Sequence, residues 1–159
     1  MIYINKKILI LLNLFFFYFL ILNFNYAKSA DKKSFLSLKK KEVNLRQGPS
    51  KNHPIKLVYK KKYLPVEIID NSDNWRKIKD FENNSGWIHI SLLSAKKSAL
   101  SLHNNSIIYS SNTTYSKPLV RVEKGRLLFI KKCKLLWCKV SSGKYIGWIQ
   151  KKSLWGGVN

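Results

Sequence analysis

The chain has few of the residues that perform chemistry in enzymes. Its 159 residues include two cysteines, three histidines and eight acidic residues. The acidic residues show no paired arrangement of the kind that cleaves glycosidic bonds, and two thiols with no histidine nearby do not form a zinc site. The cysteines are separated by four residues, whereas thiol oxidoreductases use C-x-x-C. We therefore predict no catalytic residues, no metal site and no cofactor.

Arginine is also scarce, although the chain is strongly basic. Only four of the 30 basic residues are arginine, and the formal net charge is +22. Arginine is the commoner side chain for forked contacts with phosphates and bases, so nucleic-acid binding is a weaker alternative that would require a cytoplasmic chain. A basic exported protein is attracted to anionic surfaces such as lipid headgroups or acidic wall polymers. The lysine runs at 39–41 and 60–62 are predicted to be solvated faces, and attraction to the membrane surface just after the anchor or cleavage site is the weaker alternative.

A long apolar run lies at the N-terminus. Lys6 and Lys7 precede residues 8–22, which are apolar except for Asn13, and small residues follow at 27, 29 and 30. This order is typical of a secretory signal peptide, which we predict for residues 1–30. The alternative is a retained inner-membrane anchor at 8–24, near the lower limit of about 17 residues for spanning a bilayer. Either prediction places the rest of the chain in the periplasm or exported, beginning with a basic linker at 31–41.

Two similar strings of residues occur in the remainder of the chain. WRKIKDFENNSGWI begins at Trp75, and WCKVSSGKYIGWI begins at Trp137. Apolar landmarks around them recur at offsets of 61 to 64 residues, and each change of offset falls in a polar stretch, as insertions confined to loops would produce. Similarity at this period indicates two copies of one unit. The matched landmarks include Pro54 with Pro118, Leu64 with Leu127, Val66 with Phe129, Ile78 with Val140, and Gly86-Trp87-Ile88 with Gly147-Trp148-Ile149.

The repeated unit has the pattern of short β-strands. In KKKYLPVEIID, Leu64, Val66 and Ile68 recur at a period of two, which predicts a strand, and NSDN at 71–74 is a typical turn sequence. No stretch after residue 30 shows a convincing helical period. Four or five short strands in about 50 residues fit a small, strongly bent antiparallel barrel. We predict an all-β fold with two tandem barrels at 42–94 and 106–156, joined by a linker at 95–105.

The first unit resembles a known family. VNLRQGPS at 43–50, followed by Trp-x-Lys-Ile and Gly-Trp-Ile, is similar to the motifs of bacterial SH3-like domains. The second unit lacks the arginine and Gly-Pro of this opening, but CKLLWCKVSSGKYIGWIQKKSLWG resembles the second domain of tandem exported members. The first unit has Lys61 or Lys62 where the family has glycine, whereas Gly125 is present in the second. The resemblance predicts two SH3-like barrels after the N-terminal signal or anchor helix.

The resemblance also implies binding without catalysis. It predicts an envelope protein whose modules recognise peptidoglycan peptides or an envelope protein. A purely structural or protein-interaction module with no wall ligand is the alternative. Because SH3-like modules often accompany wall hydrolases, a Cys-His hydrolase is the enzyme class most worth testing, but the two repeats leave no room for a catalytic domain.

Aromatic residues are the candidates for ligand contact. The tryptophans of the two Gly-Trp-Ile motifs, Trp87 and Trp148, are predicted to lie in the barrel cores, while Trp75 and Trp137 could lie in a core or a groove. SH3-like grooves bind extended ligands between aromatic walls. Arg46 is expected to hold a turn or to contact a carboxylate. The candidate groove residues are Arg46, Tyr63, Trp75, Tyr109, Trp137 and Tyr145.

Cys133 and Cys138 are predicted to form a disulfide. Both lie in the part of the chain expected in an oxidising compartment, and they would face each other across a hairpin, a geometry that a disulfide accepts. Closing so short a loop would give roughly 2 kcal/mol of stability. A free thiol pair and a redox-active site are the alternatives.

Overall fold

The computed structural model describes residues 33–158, which form two curled antiparallel β-sheets. The predicted signal peptide or anchor at 1–30 lies outside the described residues. Among residues 33–158, the structure has no helix with the length and apolar character needed to cross a membrane. The all-β prediction, with two units of similar size, is confirmed for this range.

Barrel 1 is the first of these sheets and encloses its own apolar core. Its seven strands pair in the order β3-β2-β6-β5-β4-β1-β7, and a 3₁₀ helix at Ile90–Leu92 precedes the last strand. The strands are β1 (Ser34–Leu38), β2 (Val43–Arg46), β3 (Ile55–Tyr59), β4 (Pro65–Ser72), β5 (Trp75–Lys79), β6 (Ser85–His89) and β7 (Leu93–Ser94).

Barrel 2 repeats the same arrangement. Its strand order is β10-β9-β13-β12-β11-β8-β14, so each strand occupies the place of the strand seven numbers earlier, and a 3₁₀ helix at Lys151–Ser153 again precedes the last strand. The duplication predicted from the two tryptophan strings is therefore present in the topology. The strands are β8 (Ser98–Ser101), β9 (Ser106–Tyr109), β10 (Pro118–Val122), β11 (Leu127–Lys134), β12 (Trp137–Ser142), β13 (Tyr145–Gln150) and β14 (Leu154–Gly156).

The stretches predicted to be linkers, 31–41 and 95–105, each contain the first strand of a barrel. Strand β1 pairs with β4 and β7, and β8 pairs with β11 and β14. The linker prediction is wrong for these strands because four or five residues give too short an alternation to recognise. Each strand forms because two neighbouring strands offer backbone donors and acceptors that must be satisfied.

The strand register also corrects the match between the two copies by one residue. Ile68 lies opposite Ile78, and Ile130 lies opposite Val140, so Val66 corresponds to Leu128 and not to Phe129. A shift of one residue in a strand exchanges the two faces of the sheet. Val66 and Leu128 are both fully buried in their cores.

The cores are mainly aliphatic, and the tryptophans lie outside them. Trp87 and Trp148 are only partly buried, so their predicted core placement is wrong. Their neighbours on either side, the motif glycines and isoleucines, point inward because side chains alternate between faces. The buried residues are Leu38, Val43, Leu45, Tyr59, Val66, Ile78, Ile88 and Leu93 in barrel 1, and Ala99, Ile108, Val122, Leu128, Cys138, Val140, Ile149 and Leu154 in barrel 2.

The motif glycine is required where two strands approach closely. A Cβ atom at Gly86 would lie 2.6 Å from the carbonyl oxygen of Arg46 and 2.8 Å from Cγ of Leu45. Gly147 is in the same position in barrel 2, against the backbone of Tyr109. The Gly-Trp-Ile motif therefore closes β6 onto β2 and β13 onto β9, and it turns the indole outward.

Aromatic side chains join the two barrels. Trp155 of β14 packs edge-to-face against Phe35 and Phe81 of barrel 1, with ring centroids 5.2 and 5.6 Å apart. Tyr63 of barrel 1 packs against Phe129 of barrel 2 at 5.5 Å, and Ser98 Oγ donates a 2.7 Å hydrogen bond to the Tyr63 carbonyl. We call this contact the seam.

The two barrels and the seam form one compact unit that begins at Lys33. Every core residue and strand partner described above lies within residues 33–158. Because burial of these two cores and completion of these sheets supply the stability of the fold, we expect a chain of residues 33–159 to fold by itself.

Candidate ligand-binding surface

A row of side chains crosses the outer face of barrel 1. Trp87 of β6 lies opposite Lys77 of β5 on one side and opposite Arg46 of β2 on the other. Residues paired across neighbouring strands point to the same face, and Trp87 is partly exposed. The indole therefore lies between two cationic residues. We call Lys77, Trp87 and Arg46 row 1.

Arg46 is held by the loop that follows β2. Its Nη1 donates a 2.8 Å hydrogen bond to the carbonyl of His53, and Ser50 Oγ is 2.8 Å from Nδ1 of the same histidine. The His53 ring fills the space where a side chain at Gly48 would lie. The VNLRQGPS motif thus places Leu45 in the core and uses arginine, glycine and serine to fix a loop, which supports the turn-holding role predicted for Arg46.

A cavity of about 350 Å³ opens beside row 1. Lys56 Nζ donates a 3.0 Å hydrogen bond to the carbonyl of Ser85, which fixes this ammonium at the rim. The walls of this cavity include one tryptophan and two lysines, so the cavity suits an acidic group next to an apolar one. Its lining residues are Gln47, Lys56, Lys77, Ser85, Gly86 and Trp87.

Barrel 2 carries an equivalent row. Trp148 of β13 lies opposite Lys139 of β12 and opposite Tyr109 of β9. We call Lys139, Trp148 and Tyr109 row 2. Lys132 lies opposite Lys139, and its Nζ is 5.8 Å from the centroid of the Trp148 ring, within the range of a cation–π contact. Tyrosine replaces arginine at the end of row 2, so this row is more aromatic than row 1.

The tryptophan that begins each repeated string extends its row. Trp137 packs edge-to-face against Tyr109, with the ring centroids 5.9 Å apart, so row 2 continues into a second indole. Trp75 is two residues from Lys77 on the same face and packs against His89 at 5.3 Å. Each barrel therefore presents two tryptophans and at least one lysine on one outer face.

The structure separates the six candidate groove residues. Arg46 and Trp75 lie on the face of row 1, and Tyr109 and Trp137 lie on the face of row 2. Tyr63 lies at the seam, where its carbonyl and ring contact barrel 2. Tyr145 pairs with Ser142 at the far end of β13, and it points to the face opposite Trp148 because the two are an odd number of positions apart along the strand.

Four residues of the two rows are missing from the candidates predicted from the sequence. They are Lys77, Trp87, Lys139 and Trp148. The Trp-x-Lys spacing carried this information, because a period of two places the tryptophan and the lysine on the same face of a strand. The outward direction of Trp87 and Trp148 depends on the close approach of strands at the preceding glycines, which the sequence does not reveal.

The family comparison agrees with this duplicated architecture. The sequence profile described as "Bacterial SH3 domain" matches residues 39–95 and again residues 104–156. The chain belongs to the bacterial SH3 domain family. Bacterial SH3 domains commonly bind peptidoglycan or envelope components.

Solved structures that match this chain at low identity are much longer than this pair of SH3 domains. NlpC2 from Trichomonas vaginalis is 15% identical over 81% of this chain and 50% of its own, with a TM-score of 0.37. NlpC1 from the same organism is 14% identical over 82% of this chain and 48% of its own, with a TM-score of 0.36. An NlpC/P60 family protein from Bacillus cereus is 13% identical over 77% of this chain and 56% of its own, with a TM-score of 0.34. The chain spans about half the length of these proteins. No curated protein sequence matches it.

The second SH3 domain contains the predicted disulfide. Cys133 of β11 and Cys138 of β12 lie directly opposite each other and are bonded, which confirms the pairing. Cys138 is fully buried, and Cys133 packs against the same core. Both cysteines of the chain are used in this bond. Among residues 33–158, no group of three or more histidine, cysteine, aspartate or glutamate side chains could hold a metal ion.

A buried carboxylate stabilises the first SH3 domain away from row 1. Asp80 accepts hydrogen bonds from the backbone of Glu82 and Asn84, from the Asn84 side chain, and from the Tyr59 hydroxyl at 2.9 Å. Burial, together with the adjacent Asp80 charge, raises the pKa of Tyr59 well above its ordinary value. On the surface, the hydrogen bond from Lys60 lowers the pKa of Glu42.

Proposed function

We propose that the protein is a non-catalytic binding protein of the cell envelope that recognises peptidoglycan stem peptides through rows 1 and 2. The observation that carries this proposal is the recurrence of the same outward tryptophan beside a lysine in both domains. Neither tryptophan fills a core, so packing within the domain does not account for its recurrence.

The chemistry of the rows suits an extended acidic ligand. An indole face accepts apolar side chains and peptide planes, and ammonium groups on either side attract carboxylates. Stem peptides are extended and carry free carboxylates. The cavity beside row 1, with Lys56 and Lys77 at its wall, provides a place for one such carboxylate.

The absence of catalysis and the location outside the cytoplasm are parts of this proposal. Both cysteines are bonded to each other, so a thiolate nucleophile of a Cys-His hydrolase would first require reduction. A disulfide in a small domain is typical of proteins in oxidising compartments. The positive charge would also concentrate the protein at the anionic wall.

Sedimentation with purified, protein-free peptidoglycan tests the proposal. A chain of residues 33–159 should co-sediment at low salt and should retain measurable binding at about 0.5 M salt, where the Debye length is roughly 4 Å. The double variant Trp87→Ala/Trp148→Ala should bind at least tenfold more weakly, because it removes both outward indoles, each worth roughly 1 kcal/mol or more in a stacked contact.

Two further variants test the lysines of the rows and a residue outside the rows. Lys77→Gln/Lys139→Gln should weaken binding without disturbing either core. Tyr115→Ala removes a side chain that is 99% exposed and lies outside both rows, and should bind like the wild type. No sedimentation at low salt, or equal binding by the double tryptophan variant, would instead favour an architectural module that acts through a protein partner.

A further inference from the structure

The tip of the β11–β12 hairpin exposes two adjacent leucines. Leu135 is 91% exposed and Leu136 is 75% exposed, between Lys134 and Trp137, which pair across the hairpin. Neither leucine contributes to the core of barrel 2. Large apolar side chains side by side on a projecting turn are a common mark of an interaction site.

The other barrel has the same turn with polar residues. In barrel 1, Ser72 pairs with Trp75, and Asp73 and Asn74 occupy the tip. The carbonyl of Asn74 accepts a 2.8 Å hydrogen bond from Ile90, as that of Leu136 does from Lys151. The fold therefore makes this turn without leucine, and the two leucines are not needed to form it.

The leucines are also unfavourable for the turn itself. Leu135 has a φ of 38°, and Asp73 at the equivalent position has a φ of 44°. Aspartate and asparagine tolerate this left-handed conformation, whereas leucine adopts it rarely. Both solvent exposure and backbone conformation thus disfavour leucine here, so an interaction outside the chain accounts for it better than stability does.

A disulfide lies next to the tip of the β11–β12 hairpin, whereas the equivalent β4–β5 hairpin of barrel 1 has none. Cys133 and Cys138 lie opposite each other immediately below the Lys134–Trp137 pair. The corresponding residues in barrel 1 are Asn71 and Arg76, which pair without a covalent bond. A tip fixed in this way presents the leucines with little conformational entropy left to lose on binding.

Positive charge surrounds the leucines. Lys131, Lys132 and Lys134 on β11 are exposed. Lys151, whose backbone N–H bonds to the Leu136 carbonyl, begins the adjacent 3₁₀ helix, and Lys152 beside it is exposed. Residues 124–159 contain no acidic residue. The two leucines are therefore surrounded by these lysines, which we call the collar.

We propose that this tip docks on an anionic membrane surface. The leucines enter the boundary between headgroups and acyl chains, and the collar lysines contact anionic headgroups, the combination that holds amphipathic elements at interfaces. Long lysine side chains keep their ammonium groups among the headgroups while their stems follow the leucines inward. A protein partner would need an apolar pocket ringed by acidic groups placed to match these lysines, whereas an anionic membrane offers an apolar interior beneath a continuous negative surface, so the membrane is the better occupant.

Vesicle flotation with residues 33–159 tests this proposal. The chain should float with vesicles of equal parts phosphatidylcholine and phosphatidylglycerol, and much less with phosphatidylcholine alone. Leu135→Asn/Leu136→Asn should partition roughly tenfold or more weakly, because burying one leucine is worth at least about one order of magnitude. Asparagine accepts the left-handed turn and leaves the net charge unchanged, so the variant keeps the fold, which thermal unfolding verifies.

A charge variant and a control complete the experiment. Lys131→Gln/Lys134→Gln should reduce the preference for phosphatidylglycerol, and Tyr115→Ala, which alters an exposed aromatic residue in another loop, should float like the wild type. Equal flotation of the leucine variant and the wild type overturns the proposal. If the leucine variant lost binding to a purified envelope-protein fraction while its flotation was unchanged, the tip would be assigned to a protein partner, and this result would also overturn the proposal.

Discussion

The seam makes a quantitative prediction about Trp155. Replacing Trp155 with alanine removes two edge-to-face ring contacts, with Phe35 at 5.2 Å and Phe81 at 5.6 Å. Such contacts are worth about 0.5–1.5 kcal/mol each beyond the burial of area. Trp155 is partly buried, so the total loss should be smaller than the roughly 3–5 kcal/mol of a fully buried aromatic residue. We expect Trp155→Ala to lower the free energy of unfolding by about 2–3 kcal/mol.

The same substitution should change the cooperativity of unfolding. The wild-type barrels share the seam, so calorimetry should show one transition whose calorimetric and van't Hoff enthalpies agree. Once the Trp155 contacts are lost, the Tyr63–Phe129 contact is the main ring pair between the barrels, and the barrels should unfold in two separable steps.

A matched control distinguishes coupling from simple loss of an indole. Trp148→Ala removes a partly buried tryptophan from the outer face of the same barrel, away from the seam. It should lower the unfolding temperature and preserve a single transition. If Trp155→Ala also unfolds in one transition with an unchanged midpoint, the seam does not couple the barrels and the reasoning is refuted.

Two further predictions concern stability: the first compares a glycine of barrel 1 with a glycine of barrel 2, and the second concerns a buried tyrosine of barrel 1. Gly86→Ala places a Cβ 2.6 Å from the Arg46 carbonyl oxygen and should lower the free energy of unfolding, measured by urea denaturation, by about 1–3 kcal/mol. Gly125→Ala, at a φ of 76° with nothing within 4 Å, should lower it by about 1 kcal/mol. A smaller loss at Gly86 than at Gly125 would contradict the close approach of the strands. Because the pKa of Tyr59 is raised by burial and by Asp80, its contribution is complete below about pH 10, the pKa of an unfolded tyrosine, and declines above it. Tyr59→Phe should cost about 1–2 kcal/mol at neutral pH by leaving an Asp80 oxygen without its hydroxyl donor, and should flatten the alkaline loss of stability; an unchanged alkaline slope would show that Tyr59 does not cause it.

Much of the architecture could be predicted from local patterns. The repeated Trp-x-Lys and Gly-Trp-Ile strings were sufficient to predict two copies of one β unit, because insertions between strands leave the strand spacing intact. The cysteine spacing was sufficient to predict a cross-strand bond, since two strands joined by a tight turn hold such residues opposite each other. Strands β1 and β8 could not be predicted in the same way, because partners distant in sequence form them.

The candidate site was only partly predictable. Trp75 and Trp137 could be named as open candidates, but the faces on which Trp87 and Trp148 lie were predicted wrongly. Tyr63 illustrates the same limit. It adopts a φ of 63° where Gly125 has a φ of 76°, and its ring lies against Phe129 of the other barrel. The absence of the family glycine was visible in the sequence, but its assignment to Lys61 or Lys62 was wrong because Tyr63 occupies the equivalent position. The contact that accompanies the tyrosine was not visible.

The sequence by itself determined the duplication, the strand-forming pattern, the disulfide and the excess of positive charge, because each depends on residues that are close in the chain or on composition. Only the tertiary structure decided which face each tryptophan occupies, how Trp155 and Tyr63 join the barrels, and that two leucines stand at a covalently fixed tip. These features depend on the register between strands that are distant in sequence, and a change of one residue in register moves a side chain from the core to the surface.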